Sequence, residues 1–99
     1  MRGAAAVVGI GQTPYYKRGT SPEPELKLAL RAITAAADDA GIDVRDIDGF
    51  VSYASERSDA SKVMPALGTR ECRFTSLVWF HGGALTATLN LASMAIMAG

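Results

Sequence analysis

The only histidine of this 99-residue chain, His81, is followed directly by Gly82 and Gly83. These three residues separate an extended apolar run from residues 84–98, which contain no charged side chain and have helical composition. Free N–H groups at a helix amino end favour negative charge, and glycines let a ligand come close to them. Histidine transfers protons near neutral pH. The segment is therefore the candidate site, although a packed histidine beside a glycine bend would explain the same residues.

Three other features carry weaker chemical signals. The Gly-Ile-Gly of residues 9–11 follows an apolar run, but Pro14 occupies the third glycine position of a dinucleotide-binding turn, so a tight strand-end turn explains it better. Cys72 lies inside a predicted strand and is better explained as a packed residue than as a nucleophile. The acidic pair at residues 38–39 is expected to be solvent-exposed and without a role.

Composition limits the classes of protein that the chain can represent. Hydrophobic residues make up 48% of the sequence, and ten basic and ten acidic residues are interspersed without blocks. This composition is typical of a soluble globular protein and argues against nucleic-acid binding or a polybasic membrane anchor. A single cysteine excludes an internal disulfide and a cysteine-cluster metal site, and it favours a reducing, cytoplasmic location.

Strand-like apolar runs alternate with helical patterns and predict an α/β fold with a mainly parallel sheet. The first helix is predicted to begin near Ser21 and Pro24, with Ser21 as its cap and proline tolerated in the first turn, and to end at Gly41. Pro65 is expected to interrupt a later short helix. The predicted elements are strand 4–10, loop 15–20, helix 26–40, strand 49–54, short helix 60–67, strand 72–80 and a helix from about residue 83.

The last predicted helix needs more surrounding protein than a small domain usually provides. Residues 84–98 are too few to span a bilayer, which takes about 18 to 20 residues, and they include polar side chains. A helix that is apolar on most of its circumference needs protein around it, but 99 residues seldom enclose a whole helix. Residues 1–99 are therefore expected to be incomplete as a folding unit, with a partner chain or further residues covering the helix.

Four segments together resemble the thiolase superfamily, in its lipid-transfer-protein and sterol-carrier-protein thiolase-like branch. They are AAAVVGIGQTPYYKRG, ELKLALRAITAAADDAGI, DIDGFVSY and SLVWFHGGALTATLNLASMAIMAG. The resemblance covers essentially the whole chain. It implies a thiolase-like βαβαβ amino-terminal portion of a longer polypeptide, with a mainly parallel sheet and a buried central helix.

The resemblance also implies a chemistry. Ordinary thiolases carry a nucleophilic cysteine at the amino end of the buried helix, and the matching position here is Gly82, which has no thiol. The chain is similar to cysteine-lacking aldolases of steroid side-chain breakdown, which cleave a β-hydroxyacyl-CoA. In such an enzyme His81 would transfer a proton or donate a hydrogen bond. Gly82 and Gly83 would bind substrate, either through backbone donors or by leaving room where the cysteine side chain would stand. Coenzyme A enters as the substrate thioester, and no other cofactor is expected.

The partners implied by the resemblance are an acyl-CoA substrate, a second copy of the chain and a companion subunit. The homodimer would form through strand 72–80, and the companion would carry an OB-fold and a zinc ribbon that holds the only metal. Nucleic acid and membrane are not expected partners. Two alternatives remain: a thiolase-like acyltransferase with its nucleophile outside this segment, and a non-catalytic lipid-binding or scaffold subunit.

Overall fold

The computed structural model describes Gly3 and residues 5–53, 59–79 and 84–99. Two strands, Gly49–Tyr53 and Phe74–Val78, pair in parallel, with Gly49 opposite Phe74 and Tyr53 opposite Val78. The predicted α/β fold with a parallel sheet is therefore confirmed. The elements are α1 (Glu25–Ala40), a short 3-10 helix (Val44–Asp46), β1 (Gly49–Tyr53), α2 (Ala60–Leu67), β2 (Phe74–Val78) and α3 (Ala84–Ala98).

Helix α1 ends as predicted but begins differently. Gly41 has a left-handed φ of 75°, which glycine adopts without strain, and its N–H donates to the carbonyl of Asp38 at 3.1 Å. The prediction that Ser21 caps the helix is wrong, because the residue before the first turn is Pro24. The Ser21 hydroxyl instead accepts a hydrogen bond from the N–H of Glu23 at 3.2 Å and closes the turn before the helix.

The predicted strand 4–10 is not a strand within the described residues. Residues 5–17 have no regular structure, and the side chains of Val7, Val8 and Ile10 are exposed. A strand needs a neighbour to satisfy its backbone, and the described sheet contains only β1 and β2. The apolar residues of this segment therefore have no sheet to join among the residues described.

The Gly-Ile-Gly of residues 9–11 packs directly on α1. A Cβ atom on Gly9 would lie 2.9 Å from the Cβ of Ala40, and one on Gly11 would overlap the backbone of the same helix. Between these glycines, the N–H of Ile10 donates to the carboxylate of Asp39 at 2.9 Å. Asp39 is exposed as predicted, but it holds this segment against the helix, so the prediction that it has no role is wrong. The glycines serve close backbone packing.

Helix α2 has the predicted bounds but is not interrupted by Pro65. It continues to Leu67 and ends at Gly68, whose φ is 71°. Val63 and Met64 are buried, and each buried side chain of this size contributes about 1.5–3 kcal/mol. Together they match or exceed the roughly 3 kcal/mol that a proline costs inside a helix. The helix contacts both α1 and β1.

Exposed ion pairs and backbone hydrogen bonds hold the amino ends of the two strands together. The N–H of Arg73 donates to the carbonyl of Asp48 at 2.7 Å, and that of Arg70 donates to the carbonyl of Arg45 at 2.9 Å. The side chains of Arg70 and Asp46 form an ion pair. Such exposed pairs contribute little stability, so the backbone bonds set the position of β2 against the connection before β1.

Helix α3 contacts both strands but is open on part of its surface. The buried residues of the described chain are few: Ala37, Ser52, Val63 and Met64. Half or more of the surface of four large α3 side chains is exposed: Leu89, Met94, Ile96 and Met97. The helix predicted to be buried thus lies on the sheet, and the described residues do not enclose it. Among the described residues, no helix is long and apolar enough to cross a membrane.

Candidate functional site

The predicted site residues His81, Gly82 and Gly83 lie outside the described residues, so their roles stay predictions. The structure does describe both sides of them. Strand β2 ends at Val78, an exposed Trp79 follows, and α3 begins at residue 84. The predicted site therefore stands in the chain between the carboxyl end of a strand and the amino end of a helix, as the sequence predicted.

The two strands end at the same edge of the sheet. Because they are parallel and Tyr53 is the partner of Val78, the chain leaves both strands on one side. Ligands of open α/β sheets bind outside the carboxyl ends of the strands. The segment with the predicted site follows β2 at this edge. That this edge binds a substrate stays a prediction.

Helix α3 can contribute electrostatic stabilisation from its amino end. It has fifteen residues, no acidic side chain in its first turn and no basic side chain in its last. A helix carries about half a positive charge at its amino terminus, and here no carboxylate in the first turn offsets that charge. Oxygen atoms that become negative during a reaction are stabilised at such a position.

Cys72 lies at the other end of the strand. It precedes β2, which begins at Phe74, and its thiol is free and exposed. The prediction that it lies inside the strand is therefore wrong, because pairing with β1 starts only at Phe74. A five-residue strand is about 16 Å long, so this length separates Cys72 from the carboxyl edge. Its position supports the prediction that it does not replace the missing thiol.

Two described carboxyl groups have a lowered pKa. The pKa of Asp43 is lowered to about 2 from the ordinary 3.8. The largest cause is hydrogen bonding from the Arg45 side chain, at 2.7–3.1 Å, and the second is the hydrogen bond from the Arg45 backbone N–H. A hydrogen bond from the Ser61 hydroxyl lowers the pKa of Asp59, the residue before α2. Both groups are charged near neutral pH. Neither is suited to be a general base, which needs a pKa near the working pH.

No group of three or more metal-ligating side chains lies together in residues 5–53, 59–79 and 84–99. The structure shows instead an open groove of about 500 Å³ beside α1, which sequence reasoning treated only as a polar loop. None of the described neighbours of the predicted site lines it. Its lining is Gln12, Thr13, Pro14, Tyr15, Tyr16, Lys17, Arg18, Gly19, Ser21 and Leu28.

Two relatives match nearly the whole chain. It is 40% identical over 97 residues to a steroid side-chain-cleaving aldolase of Thermomonospora curvata, covering 98% of this chain and 24% of that protein. It is 37% identical over 99 residues to a 17-hydroxy-3-oxo-4-pregnene-20-carboxyl-CoA lyase of Mycobacterium tuberculosis, covering 100% of this chain and 25% of that protein. The chain thus spans about a quarter of the length of these relatives. No protein-family model matches the sequence.

Solved structures give the same result. The fold superposes on an Ltp2-ChsH2(DUF35) aldolase with a TM-score of 0.88 and 38% identity, covering 95% of this chain and 24% of that one. It superposes on a monomeric SCP2-thiolase-like protein type 1 from Mycobacterium smegmatis with a TM-score of 0.66 and 27% identity, covering 93% and 20%. The resemblance found in the residues is confirmed. The chain is a homologue of steroid side-chain-cleaving aldolases and is similar in fold to an SCP2-thiolase-like protein, over about a fifth to a quarter of their length.

Proposed function

We propose that this chain is part of an acyl-CoA aldolase that cleaves a carbon–carbon bond in a β-hydroxyacyl-CoA, with a steroid side-chain thioester as the substrate class. The observation that carries the proposal is similarity along the whole chain to two relatives named for this chemistry. The glycine at position 82 fits it, because the family's acyl-transfer chemistry needs a nucleophile there and a retro-aldol cleavage does not.

The proposed reaction needs one base and one place for negative charge. A base takes the proton of the β-hydroxyl, the carbon–oxygen bond becomes a carbonyl, and the bond between the α and β carbons breaks. Its electron pair passes into the thioester enolate, which then takes a proton at the α carbon to give the shorter acyl-CoA. The amino end of α3 would stabilise the enolate oxygen. Gly82 and Gly83 would donate their N–H groups, and His81 would transfer a proton.

The test is product analysis with the full-length protein, assayed with and without its companion subunit. On a β-hydroxyacyl-CoA, the proposal expects equal amounts of a carbonyl product and a shortened acyl-CoA. Exchange of the acyl group onto free coenzyme A without carbon–carbon cleavage would contradict it and favour the acyltransferase alternative. Absence of both reactions would favour the non-catalytic alternative.

A second measurement tests His81 separately from the reaction type. The His81→Gln variant keeps a hydrogen-bonding side chain but loses proton transfer, which is typically a factor of about 10² to 10⁴ in rate. The expected result is a fall in kcat with loss of the matching limb of the pH profile. An unchanged kcat and pH profile would remove His81 from the proposed mechanism.

We also infer that the chain forms a homodimer through β2. Strand β2 pairs with β1 on one edge, and in the described sheet its other edge has no neighbour. Trp79, which follows β2, is 69% exposed and would be covered by a second copy. The relative from Mycobacterium smegmatis is named as a monomer, so sedimentation of the full-length protein decides the point. A dimer that Trp79→Lys converts to a monomer is expected, whereas a wild-type monomer would contradict the inference.

A companion subunit and a cytoplasmic location complete the proposal. The name of the solved Ltp2-ChsH2(DUF35) aldolase joins two components, and we propose an equivalent partner that carries an OB-fold and a zinc ribbon.

The exposed free thiol of Cys72 favours a reducing compartment, which supports the proposed cytoplasmic location. Purification of the tagged full-length protein from its own cytoplasmic fraction is expected to recover a zinc-containing partner. Recovery from another compartment, or without such a partner, would contradict these two points.

A further inference from the structure

Two adjacent cations in the groove beside α1 have no carboxylate partner among the residues that the structure describes. Lys17 and Arg18 line the groove, and within the described part of the chain neither forms an ion pair. Other cations behave differently. Contacts to a carboxylate within 4.0 Å are made by Lys27, Arg31, Arg45, Arg70 and Arg73. The groove is thus a place where positive charge is not neutralised by a described acidic side chain.

A hydrogen-bonded turn fixes the backbone that carries the two cations. The N–H and the hydroxyl of Thr20 both donate to the carbonyl of Lys17, at 2.9 and 2.5 Å. Gly19, between them, has a φ of 78°, as at the third position of a type II turn. Lys17 and Arg18 therefore occupy the first two positions of a hydrogen-bonded turn. Positioning before binding lowers the entropy cost of holding a ligand.

Aromatic rings and polar groups complete the groove. Tyr15 and Tyr16 both line the groove, and Tyr15 is 91% exposed whereas Tyr16 is 36% exposed. The lining contains no acidic residue. Its volume, about 500 Å³, suits a small molecule. Lysine and arginine beside tyrosine rings recognise phosphate together with a flat aromatic base.

We propose that this groove binds the phosphate-bearing nucleotide of a coenzyme A thioester, with Lys17 and Arg18 at the phosphates and the tyrosines against the base. The assignment to coenzyme A rests on the proposed function, whereas the match to a phosphate and a ring rests on the groove alone. A free nucleotide has the same chemistry and is the other source to be distinguished. The site is separate from the Gly-Ile-Gly of residues 9–11, which packs on α1.

Calorimetry on the full-length protein tests the binding. The ligands are coenzyme A and adenosine 3′,5′-bisphosphate, and the variant is Lys17→Gln combined with Arg18→Gln. Loss of two charged contacts is expected to weaken both ligands at least about tenfold. The control, Arg70→Gln combined with Arg73→Gln, removes the same charge from residues that do not line the groove and is expected to change affinity less than about twofold. Equal affinities in the two double variants would overturn the proposal.

The tyrosine contribution has its own readout. Tyr16→Leu keeps an apolar side chain but removes the ring that stacks on a base. The expected loss is about fivefold or more for the bisphosphate and none for inorganic pyrophosphate, which has no base. An equal loss for both ligands would overturn the assignment of the ring to a base.

Turnover then distinguishes the two sources of nucleotide. With an acyl-CoA, the groove double variant is expected to raise KM without lowering kcat, and with the acyl-pantetheine thioester, which lacks the nucleotide, it is expected to change neither. Weakened bisphosphate binding with an unchanged KM for acyl-CoA would overturn the coenzyme A assignment. If the protein has no lyase activity, the proposed function fails, but calorimetry still tests the groove.

Discussion

Helices α1 and α3 have nearly the same length but opposite relations to the rest of the chain. Helix α1 is covered within these residues by residues 9–11 and by α2, and its Ala37 is only 3% exposed. Helix α3 carries no charged residue, lies on the sheet, and leaves Leu89 65% and Ile96 61% exposed. Among the described residues, α1 is covered on its inner face, whereas α3 is covered only in part.

The two helices differ in how much of their surface must be covered by other parts of the protein. An amphipathic helix such as α1 needs protein on one face only, which a short chain can provide. An apolar helix needs protein on most sides, and a domain of this size buries too little surface for that. The predicted catalytic segment immediately precedes α3. The predicted site is therefore adjacent in the chain to the helix that the described residues cover least.

Matched methionine truncations give the largest expected contrast. Met64 is 4% exposed and Met97 is 50% exposed. In the 99-residue chain, Met64→Ala is expected to lower the free energy of unfolding by about 2–5 kcal/mol, whereas Met97→Ala lowers it by less than about 1 kcal/mol. In the full-length protein the cost of Met97→Ala should rise to about 2 kcal/mol or more. Denaturant unfolding of both lengths measures this, and the same small cost in each would contradict further cover of α3.

The close packing of residues 9–11 on α1 gives the next effect. A Cβ at Gly11 would overlap the backbone of α1, so Gly11→Ala is expected to cost about 1–3 kcal/mol. Gly49→Ala is the control, since its Cβ would meet the carbonyl oxygen of Phe74 at an ordinary 3.6 Å. Thermal unfolding of the two variants gives the comparison. A Gly11→Ala protein as stable as Gly49→Ala would show that this contact is not needed.

Adjacent aspartates test the hydrogen bond that ties the segment to the helix. Asp39 accepts the N–H of Ile10, whereas the carboxylate of the neighbouring Asp38 has no such contact. Asp39→Ala is expected to be less stable than Asp38→Ala by about 1 kcal/mol, because both changes have the same helix propensity and only one removes the bond. Chemical denaturation of the pair measures the difference. Equal stabilities would contradict a role for Asp39 in holding the segment.

The connection after α1 gives the smallest effect, a shift in titration. The pKa of Asp43 is about 2, below its ordinary 3.8, because of hydrogen bonds from Arg45. A lowered pKa means that the contribution of Asp43 to stability is present above about pH 3.8 and is lost as the pH falls toward 2. Carboxyl chemical shifts followed by NMR are expected to show this low midpoint. Arg45→Gln should return it toward 3.8, and an unchanged midpoint would remove Arg45 as the cause.

The sequence predicted those elements whose signals are local. Apolar residues at helical spacing followed by Gly41 predicted α1, and the bounds of α2 were predicted to the residue. The first strand was wrong because strand formation depends on a neighbour, and none of the described strands pairs with it. The prediction that Pro65 interrupts α2 was wrong, because the local sequence pattern does not show that Val63 and Met64 are buried and stabilise the helix.

The candidate site was only partly predictable. The order of strand, glycines and helix around His81 could be predicted, and the structure confirms the elements on either side. The groove at Lys17 and Arg18 could not be predicted, because only tertiary contacts show that no described carboxylate pairs with these cations. The sequence did contain one indication of this groove, which is the run of two tyrosines directly followed by two cations at residues 15–18.

The central claim is carbon–carbon cleavage without a covalent acyl-enzyme, since position 82 has no thiol. Intact-mass spectrometry of the full-length protein during turnover of a β-hydroxyacyl-CoA tests it most directly. The account predicts an unchanged protein mass while carbonyl product and shortened acyl-CoA accumulate together. A protein mass increased by an acyl group that is then passed to free coenzyme A would contradict it.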